Sequence, residues 1–193
     1  MRNDERLRTI YEVMAPYIVR NEHNWRDYLA FASQFHKHSF DNILLVYAQD
    51  EDVSILATRK QWAAIGRNLI PRAKGVAVCV YRNAKLTLDY LFDVSQTTGK
   101  EIHPTDWQLS DEMKEALTER LSYAHGFPKQ GFSQALYALA SESVADNYNH
   151  FLQELKQETK GHLFTEIPAG GFEAQYIQLL TDSISYFIGK KCH

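Results

Sequence analysis

The chain has 193 residues, of which 45% are hydrophobic and 23% are charged, and its net charge is −3. This composition excludes a chain that is disordered throughout, and the length suits one domain or one domain with an appendage. Two cysteines, Cys79 and Cys192, are too few for a disulfide framework or a zinc cluster, which fits a reducing cytoplasm. Because the sequence has neither an apolar run of about 18 residues nor an apolar leader, we expect a cytoplasmic protein with no membrane partner.

The N-terminal part of the chain is predicted to be helical. Apolar residues recur at helical spacing over residues 4–19, and Asn24 and Ser39 are predicted to cap a second and a third helix. A short strand follows at residues 53–57. Thr58-Arg59-Lys60-Gln61 then has the form of a capping box, which predicts the start of a short fourth helix.

A β-hairpin is predicted in the middle of the chain. Residues 76–81 are β-branched and apolar, residues 82–85 are predicted to form a turn, and residues 86–94 form the partner strand. A loop that contains Arg67, Arg72 and Lys74 is predicted between the fourth helix and the hairpin, and residues 72–74 form its basic part. Residues 97–109 after it are predicted to form an irregular connection.

The remainder of the chain is predicted to be helical, with a helix start at Ser110, one long or two shorter helices over 133–159, and a last helix after a loop at 161–171. The predicted fold class is therefore α+β. We expect a small, mostly antiparallel sheet with a central hairpin, N-terminal helices packed on it and a helical C-terminal extension. The expected domains are 1–105 and 106–193.

The net charge of −3 is the average of two unlike parts. Residues 1–82 carry a net charge of +3, and residues 83–193 carry −6. No acidic residue lies between Asp52 and Asp89, and the seven basic residues between them are Arg59, Lys60, Arg67, Arg72, Lys74, Arg82 and Lys85. A stretch with one sign of charge gathers anions when the fold places it on one surface; the alternative is a solvated face whose acidic partners come from elsewhere.

The sequence contains no motif for catalysis. Neither a His-Glu-x-x-His zinc motif, nor a phosphate-binding glycine motif, nor a Gly-x-Ser-x-Gly elbow is present. The eight histidines lack ligand spacing, and His36 and His38 point to different faces of a helix. We therefore expect a binding module rather than an enzyme, with no catalytic residue, no metal and no cofactor.

Three blocks of residues follow one another in the order of a known family. The first is Ser39-Phe40-Asp41-Asn42-Ile43-Leu44-Leu45-Val46-Tyr47-Ala48-Gln49. The second joins Trp62-Ala63-Ala64-Ile65-Gly66-Arg67 to Lys74-Gly75-Val76-Ala77-Val78, and the third is Leu91-Phe92-Asp93-Val94-Ser95-Gln96-Thr97-Thr98-Gly99. Over residues 24–104, the chain resembles the N-terminal domain of ArdC-type antirestriction proteins. It departs from the family at Arg72, where a glycine is common.

The resemblance implies a domain that binds single-stranded DNA in proteins of plasmids and conjugative elements. It implies single-stranded DNA as the partner and a role in conjugation or antirestriction. In the antirestriction proteins a zinc peptidase-like domain follows, and its His-Glu-x-x-His motif is absent from this sequence. We therefore expect this chain to be the front part of a longer parent protein, with any catalytic activity in a downstream region.

The expected DNA-binding residues supply cations for phosphates and aromatic rings for bases, since stacking contributes about 1–3 kcal/mol per base. They are Arg59, Lys60, Trp62, Arg67, Arg72, Lys74, Tyr81, Arg82, Lys85 and Tyr47.

Structural alternatives stay open for several of these side chains and their neighbours. Trp62 is also suited to the core, and Tyr81 is also suited to a cross-strand pair with Tyr90. For Asn42 and Asp93 a structural hydrogen-bonding role stands beside a ligand role. The alternative function is a protein-interaction module that docks on a host enzyme or on other domains of its parent protein, which the acidic second half favours.

Overall fold

The computed structural model describes residues 3–35, 37–82, 85–102, 109–128, 131–158, 160 and 171–192. The chain divides into two compact units, Met1–Asp106 and Trp107–His193. Every strand of the described residues lies in the first unit, whereas the described part of the second unit is helical. The predicted α+β class, with helices before and after a small antiparallel sheet, is confirmed.

The first unit alternates short helices with short strands. Its helices are α1 (Asn3–Ile18), α2 (Glu22–Ala32), α3 (Phe40–Gln49) and α4 (Arg59–Ala64). Its strands are β1 (Leu56–Ala57), β2 (Arg67–Leu69), β3 (Val76–Arg82), β4 (Lys85–Asp93) and β5 (Thr97–Gly99), with a 3-10 turn at Val94–Gln96.

Side-chain caps set where these helices begin. The side chain of Ser39 caps α3, as predicted, and Thr58 and Gln61 form the predicted capping box of α4. The prediction for α2 was wrong, because Asn21 is the cap and its Oδ1 accepts the N–H of Asn24 at 2.9 Å. Asn24 is instead inside the helix, where its Nδ2 donates to the carbonyl oxygen of Tyr17.

The larger sheet has the strand order β1-β4-β3, and both of its pairings are antiparallel. The predicted hairpin is confirmed, with a register that runs from Val76 opposite Leu91 to Arg82 opposite Lys85. Residues 83–84 of the predicted turn lie outside the described residues. Val76 and Leu91 are each 5% exposed, so this face of the hairpin belongs to the core.

Helix α3 closes the outer edge of β3. The side-chain amide of Asn42 exchanges two hydrogen bonds with the backbone of Cys79, and that of Gln49 exchanges two with the backbone of Ala77. The seven-residue spacing of the two amides brings both to one face of the helix. The structural role considered for Asn42 is therefore the one observed, because its amide is occupied by the backbone.

A second, two-stranded sheet pairs β2 with β5 where the sequence predicts loop and irregular connection. Arg67 lies opposite Gly99, and Leu69 lies opposite Thr97. Gly99 has a φ of 132°, and a Cβ atom there would clash with the carbonyl oxygen of Gly66. Only glycine therefore permits the two backbones to approach so closely. The pairing of β2 with β5 holds in place the basic segment that begins at Arg67, after α4.

The second unit contains α5 (Asp111–His125), α6 (Phe132–Glu158) and α7 (Phe172–Cys192). The helix start at Ser110 is confirmed, since its side chain accepts the N–H of Met113. The segment for which one or two helices were predicted is a single helix of 27 residues. The loop predicted at 161–171 lies outside the described residues except for Gly171. Within the described ranges, no helix combines the length and the apolar character that a membrane span requires.

Candidate nucleic-acid interface

A groove with a volume of about 500 Å³ lies beside α4 and β2. Among the described residues that line it, three are arginines, Arg59, Arg67 and Arg72, and none is acidic. The other lining residues are Ala63, Asn68, Leu69, Ile70, Pro71 and Ala73. We call this feature the arginine groove. Three guanidinium groups without a carboxylate among the lining residues favour an anionic ligand.

Arg67 is largely occupied by the protein itself. Its Nε donates to Thr97 Oγ1 at 2.7 Å, one terminal nitrogen donates to the Thr97 carbonyl oxygen at 2.9 Å, and the other donates to the Lys100 carbonyl oxygen. A guanidinium group has five N–H donors, so two remain for a ligand. Arg67 therefore braces β2 against the segment after β5 and places a positive charge in the wall of the groove.

Arg72 lies in a turn that favours glycine. The N–H of Ala73 donates to the carbonyl oxygen of Ile70 at 3.2 Å, with Pro71 and Arg72 at the two central positions. Arg72 has a φ of 65°, and it is the single non-glycine residue with positive φ among the described residues. Proline followed by a residue of positive φ is the pattern of a type II turn, in which the second position is normally glycine. The turn therefore holds an exposed arginine at the groove at a conformational cost of about 1 kcal/mol or more.

Two further cations, Lys60 and Lys74, are next in sequence to the groove-lining residues Arg59 and Ala73. Lys60 extends from α4, and Lys74 follows the Arg72 turn; both side chains are exposed. In the part of the chain that the structure describes, no carboxylate pairs with Arg59, Lys60, Arg72 or Lys74. These four charges are therefore available to an anionic ligand.

The two predicted cations at the end of the hairpin differ from one another. Arg82 forms an ion pair with Asp89 at 2.6 Å, so a carboxylate offsets its charge. Lys85, the first residue of β4, is exposed. Of this pair, Lys85 is therefore the stronger candidate for a phosphate contact.

Two predicted aromatic residues are not placed to contact DNA. Trp62 is 1% exposed and its Nε1 donates to the carbonyl oxygen of Phe92 at 2.8 Å, so its ring belongs to the core. Tyr47 is half-buried and packs against Phe31 and Tyr28, with ring centroids 5.0 and 5.6 Å away. We therefore leave Trp62 and Tyr47 out of the candidate interface.

The charges around Tyr47 support its exclusion. Burial raises the pKa of the Tyr47 hydroxyl, and the nearby carboxylates of Glu51 and Asp27 raise it further. An acidic surrounding repels the phosphate backbone. Tyr47 therefore belongs to the aromatic cluster of α2 and α3.

The hairpin carries the exposed aromatic residues of the interface. Tyr81 is 78% exposed and lies opposite Leu86, whereas Tyr90 is 45% exposed and lies opposite Ala77. The two tyrosines are therefore not a directly opposed cross-strand pair. Alternation along the strands places Tyr81, Leu86 and Tyr90 on the face that points away from the buried Val76.

Asp93, at the end of β4, has the structural role that was one of its two alternatives. Its Oδ2 accepts the backbone N–H groups of Ser54 and Ile55 at 2.7 and 3.0 Å, and its Oδ1 accepts that of Ser95 at 2.9 Å. Burial on its own raises the pKa of this carboxyl, but the hydrogen bonds from Ser95, Ser54 and Ile55 outweigh burial and lower it. Asp93 therefore stays ionised and ties β1 to the end of β4.

Asn68 is a groove-lining residue that the sequence did not indicate. It lies in the middle of β2, is exposed and lines the arginine groove. The sequence predicts a loop at this position and therefore gives Asn68 no defined place. Strand β2 is only three residues long, and its partner strand β5 lies about thirty residues later in the sequence. The periodicity of so short a strand carries no usable signal.

The described residues contain no group of three or more His, Cys, Asp or Glu side chains that could hold a metal ion. The chain matches no protein-family model, no curated protein and no solved structure.

Proposed function

We propose that the first unit is a non-catalytic module that binds single-stranded DNA. The arginine groove carries this proposal, because it joins Arg59, Arg67 and Arg72 in one concavity whose described lining residues include no acidic one. Lys60 and Lys74 add exposed positive charge on the adjoining segments. Cations that follow a groove are how proteins hold the backbone of a single strand without reading its sequence.

The resemblance to ArdC-type N-terminal domains supports the same ligand. The second and third sequence blocks meet beside the groove, since Arg67 of the second block lines it and bonds Thr97 of the third. The family resemblance further suggests a conjugative or antirestriction process, a cytoplasmic location and downstream domains of a parent protein. These remain parts of the proposal.

Titration of binding with salt tests the proposed function. A labelled 20-nucleotide strand and the matching duplex are compared by fluorescence anisotropy from about 20 to 300 mM salt. Binding that involves four phosphate contacts gives a slope of log K against log salt of about −3 for a single strand. No binding of the single strand at low salt, or a preference for duplex, overturns the proposal.

Charge reversal locates the contact. Arg59→Glu combined with Arg72→Glu is expected to weaken binding strongly and to reduce the slope by about 1.4, because two phosphate contacts are lost. Arg67 is unsuitable for this test, since its hydrogen bonds to Thr97 support the fold. Arg20→Glu is the matched control: Arg20 is exposed in the same unit and lies outside the groove. Equal losses in the double variant and the control contradict the assignment of the groove.

A further inference from the structure

The outward face of the hairpin is an exposed apolar surface formed by Tyr81, Leu86 and Tyr90, which we call the tyrosine face. The three side chains are 78%, 49% and 45% exposed. Tyr81 and Leu86 are directly opposed, and Tyr90 lies four register pairs further along the hairpin, opposite Ala77. Four residues of strand separate the two tyrosine positions, or roughly 13 Å. One planar group therefore does not cover both rings.

The tyrosine face does not indicate a partner that adds a further strand to the edge of β3 at Ala77 and Cys79. The backbone groups of Ala77 and Cys79 that point out of the sheet are already bonded to Gln49 and Asn42. A partner that approaches β3 at Ala77 and Cys79 therefore meets the face of the sheet rather than a free strand edge. Aromatic rings on an exposed sheet face are a recurrent platform for unpaired bases.

The tyrosine face continues into the basic segment of the arginine groove. A Cβ atom on Gly75 would lie 3.0 Å from Cβ of Tyr90, so the backbone at Gly75 passes directly beside this tyrosine. Lys74 immediately precedes Gly75, and the Arg72 turn lies two residues before Lys74. The ring of Phe92 lies against Gly75 as well, at 3.0 Å from the same Cβ position, so the chain that carries Lys74 passes over the Tyr90 end of the hairpin.

The charge of the hairpin fits the same ligand. The paired positions on this face, from Tyr81 and Leu86 to Ala77 and Tyr90, contain no acidic residue. Asp89 belongs to the opposite set of positions, opposite Val78, and forms its ion pair with Arg82. The Asp89 carboxylate also accepts the backbone N–H of Tyr90 at 2.9 Å, so both of its oxygens are bonded within the hairpin. Planar rings on a face without an acidic position complement a chain of bases linked by phosphates.

We propose that the tyrosine face stacks at least two unpaired bases of the same strand whose phosphates lie in the arginine groove. This inference rests on the proposed function and adds the means by which single strands are selected. Bases of a duplex are stacked on one another and are not presented to a protein ring, whereas bases of a single strand are free to stack. Little sequence preference is expected, because every base has an aromatic face.

The test compares three 20-nucleotide ligands at one low salt concentration: an oligothymidylate, an abasic strand of equal length and a duplex. The full 193-residue chain is used, with Tyr81→Ser, Tyr90→Ser and Tyr81→Phe. Each serine variant is expected to weaken oligothymidylate binding roughly 5- to 150-fold, the range of stacking on one ring. Neither serine variant is expected to change abasic-strand binding or the salt slope, and Tyr81→Phe is expected to retain stacking and therefore affinity.

Tyr123→Ser is the matched control, since Tyr123 is 93% exposed on α5 and lies in the second unit. Unchanged oligothymidylate affinity in both serine variants overturns this inference and leaves the proposed function standing. If the wild type binds the abasic strand and oligothymidylate with equal affinity, this inference is also overturned and the proposed function still stands. Failure of the wild type to bind any single strand overturns the proposed function itself. The melting temperature of each variant shows whether weaker binding comes from a lost contact or from a destabilised fold. If a serine variant melts at a lower temperature, the inference is tested by Tyr81→Phe, which keeps the aromatic ring and is expected to keep the affinity.

Discussion

Asn42 bonds both backbone groups of Cys79: its Nδ2 donates to the Cys79 carbonyl oxygen at 2.7 Å, and its Oδ1 accepts the Cys79 N–H at 2.8 Å. A side-chain amide has the same donor and acceptor as a peptide group. Asn42 therefore supplies what one residue of a neighbouring strand supplies, from a helix 37 residues earlier in the chain. Gln49 repeats the arrangement at Ala77 with O···N distances of 2.9 and 3.0 Å.

Replacing Asn42 is expected to destabilise the first unit. Asn42→Ala leaves a part-buried N–H and carbonyl oxygen of Cys79 without their partner, which costs about 1–3 kcal/mol. Urea unfolding measures the loss, and hydrogen exchange at the Cys79 amide is expected to become faster. Asn147→Ala is the control, because Asn147 is exposed on α6 and its side chain donates to the Ser143 carbonyl oxygen of its own helix. Equal effects of the two substitutions contradict the proposed role of Asn42.

Arg72 is expected to separate stability from binding. Arg72→Gly removes the Cβ atom that opposes a φ of 65°, whereas Arg72→Ala keeps it. The glycine variant is therefore expected to be more stable than the alanine variant by about 1 kcal/mol. Both variants lose the guanidinium and are expected to bind single-stranded DNA equally weakly. Thermal unfolding and fluorescence anisotropy on the same samples measure the two effects, and a glycine variant less stable than the alanine variant contradicts the turn assignment.

Asp93 is expected to make the first unit sensitive to acid. Its folded-state pKa lies below the ordinary 3.8, so ionised Asp93 stabilises the fold at pH values above the unfolded pKa. This contribution is lost as the pH falls from about 4 through the lowered folded-state pKa. Asp93→Asn is expected to lower the unfolding free energy at pH 7 by about 2–3 kcal/mol, because an amide nitrogen does not accept hydrogen bonds.

The dependence of unfolding free energy on pH below 7 tests the role of Asp93, and a second carboxyl group serves as the control. Urea unfolding of Asp93→Asn between pH 2.5 and 7 is expected to show a weaker dependence on pH than the wild type. Asp52→Asn, at an exposed carboxyl, is expected to leave the profile unchanged. If Asp93→Asn loses unfolding free energy at low pH as the wild type does, other carboxyl groups cause the acid sensitivity and the prediction is contradicted.

Gly99 is expected to tolerate no side chain. Gly99→Ala drives a Cβ atom into the carbonyl oxygen of Gly66 and strains a backbone with a φ of 132°. The pairing of β2 with β5 opens in consequence, and the cost is expected to exceed about 3 kcal/mol. Gly126→Ala is the control, since Gly126 also has a positive φ, 69°, but has no atom within 4 Å of the added carbon. Its cost is expected to be about 1 kcal/mol, the conformational strain alone. Similar melting temperatures for the two variants contradict the clash.

Local sequence patterns predicted the helices and the hairpin. Structure that depends on contacts between residues distant in sequence was not predicted. The cap at Ser39 and the box at Thr58 lie within four residues of the groups they bind, so the sequence reveals them. The pairing of Arg67 with Gly99 joins two three-residue strands across the hairpin, and no local pattern marks either strand.

The same distinction applies to the interface. The acid-free basic stretch identified the cations of the arginine groove, because charge is read directly from the residues. Which of those cations are engaged was not predictable, since the partners of Arg67 and Arg82 are set by the folded chain. The burial of Trp62 likewise depends on β4, which lies thirty residues later.

The closure of β3 has a consequence for crowding. A protein that coats a DNA strand brings many copies of itself side by side, at a local concentration far above that in solution. An open strand edge under those conditions invites copies to join through their backbones and aggregate. Because Asn42 and Gln49 occupy that edge within each molecule, neighbouring copies find no free β3 backbone at Cys79 and Ala77. If the first unit binds along single-stranded DNA as proposed, neighbouring copies are therefore not expected to join through β3 at these two residues.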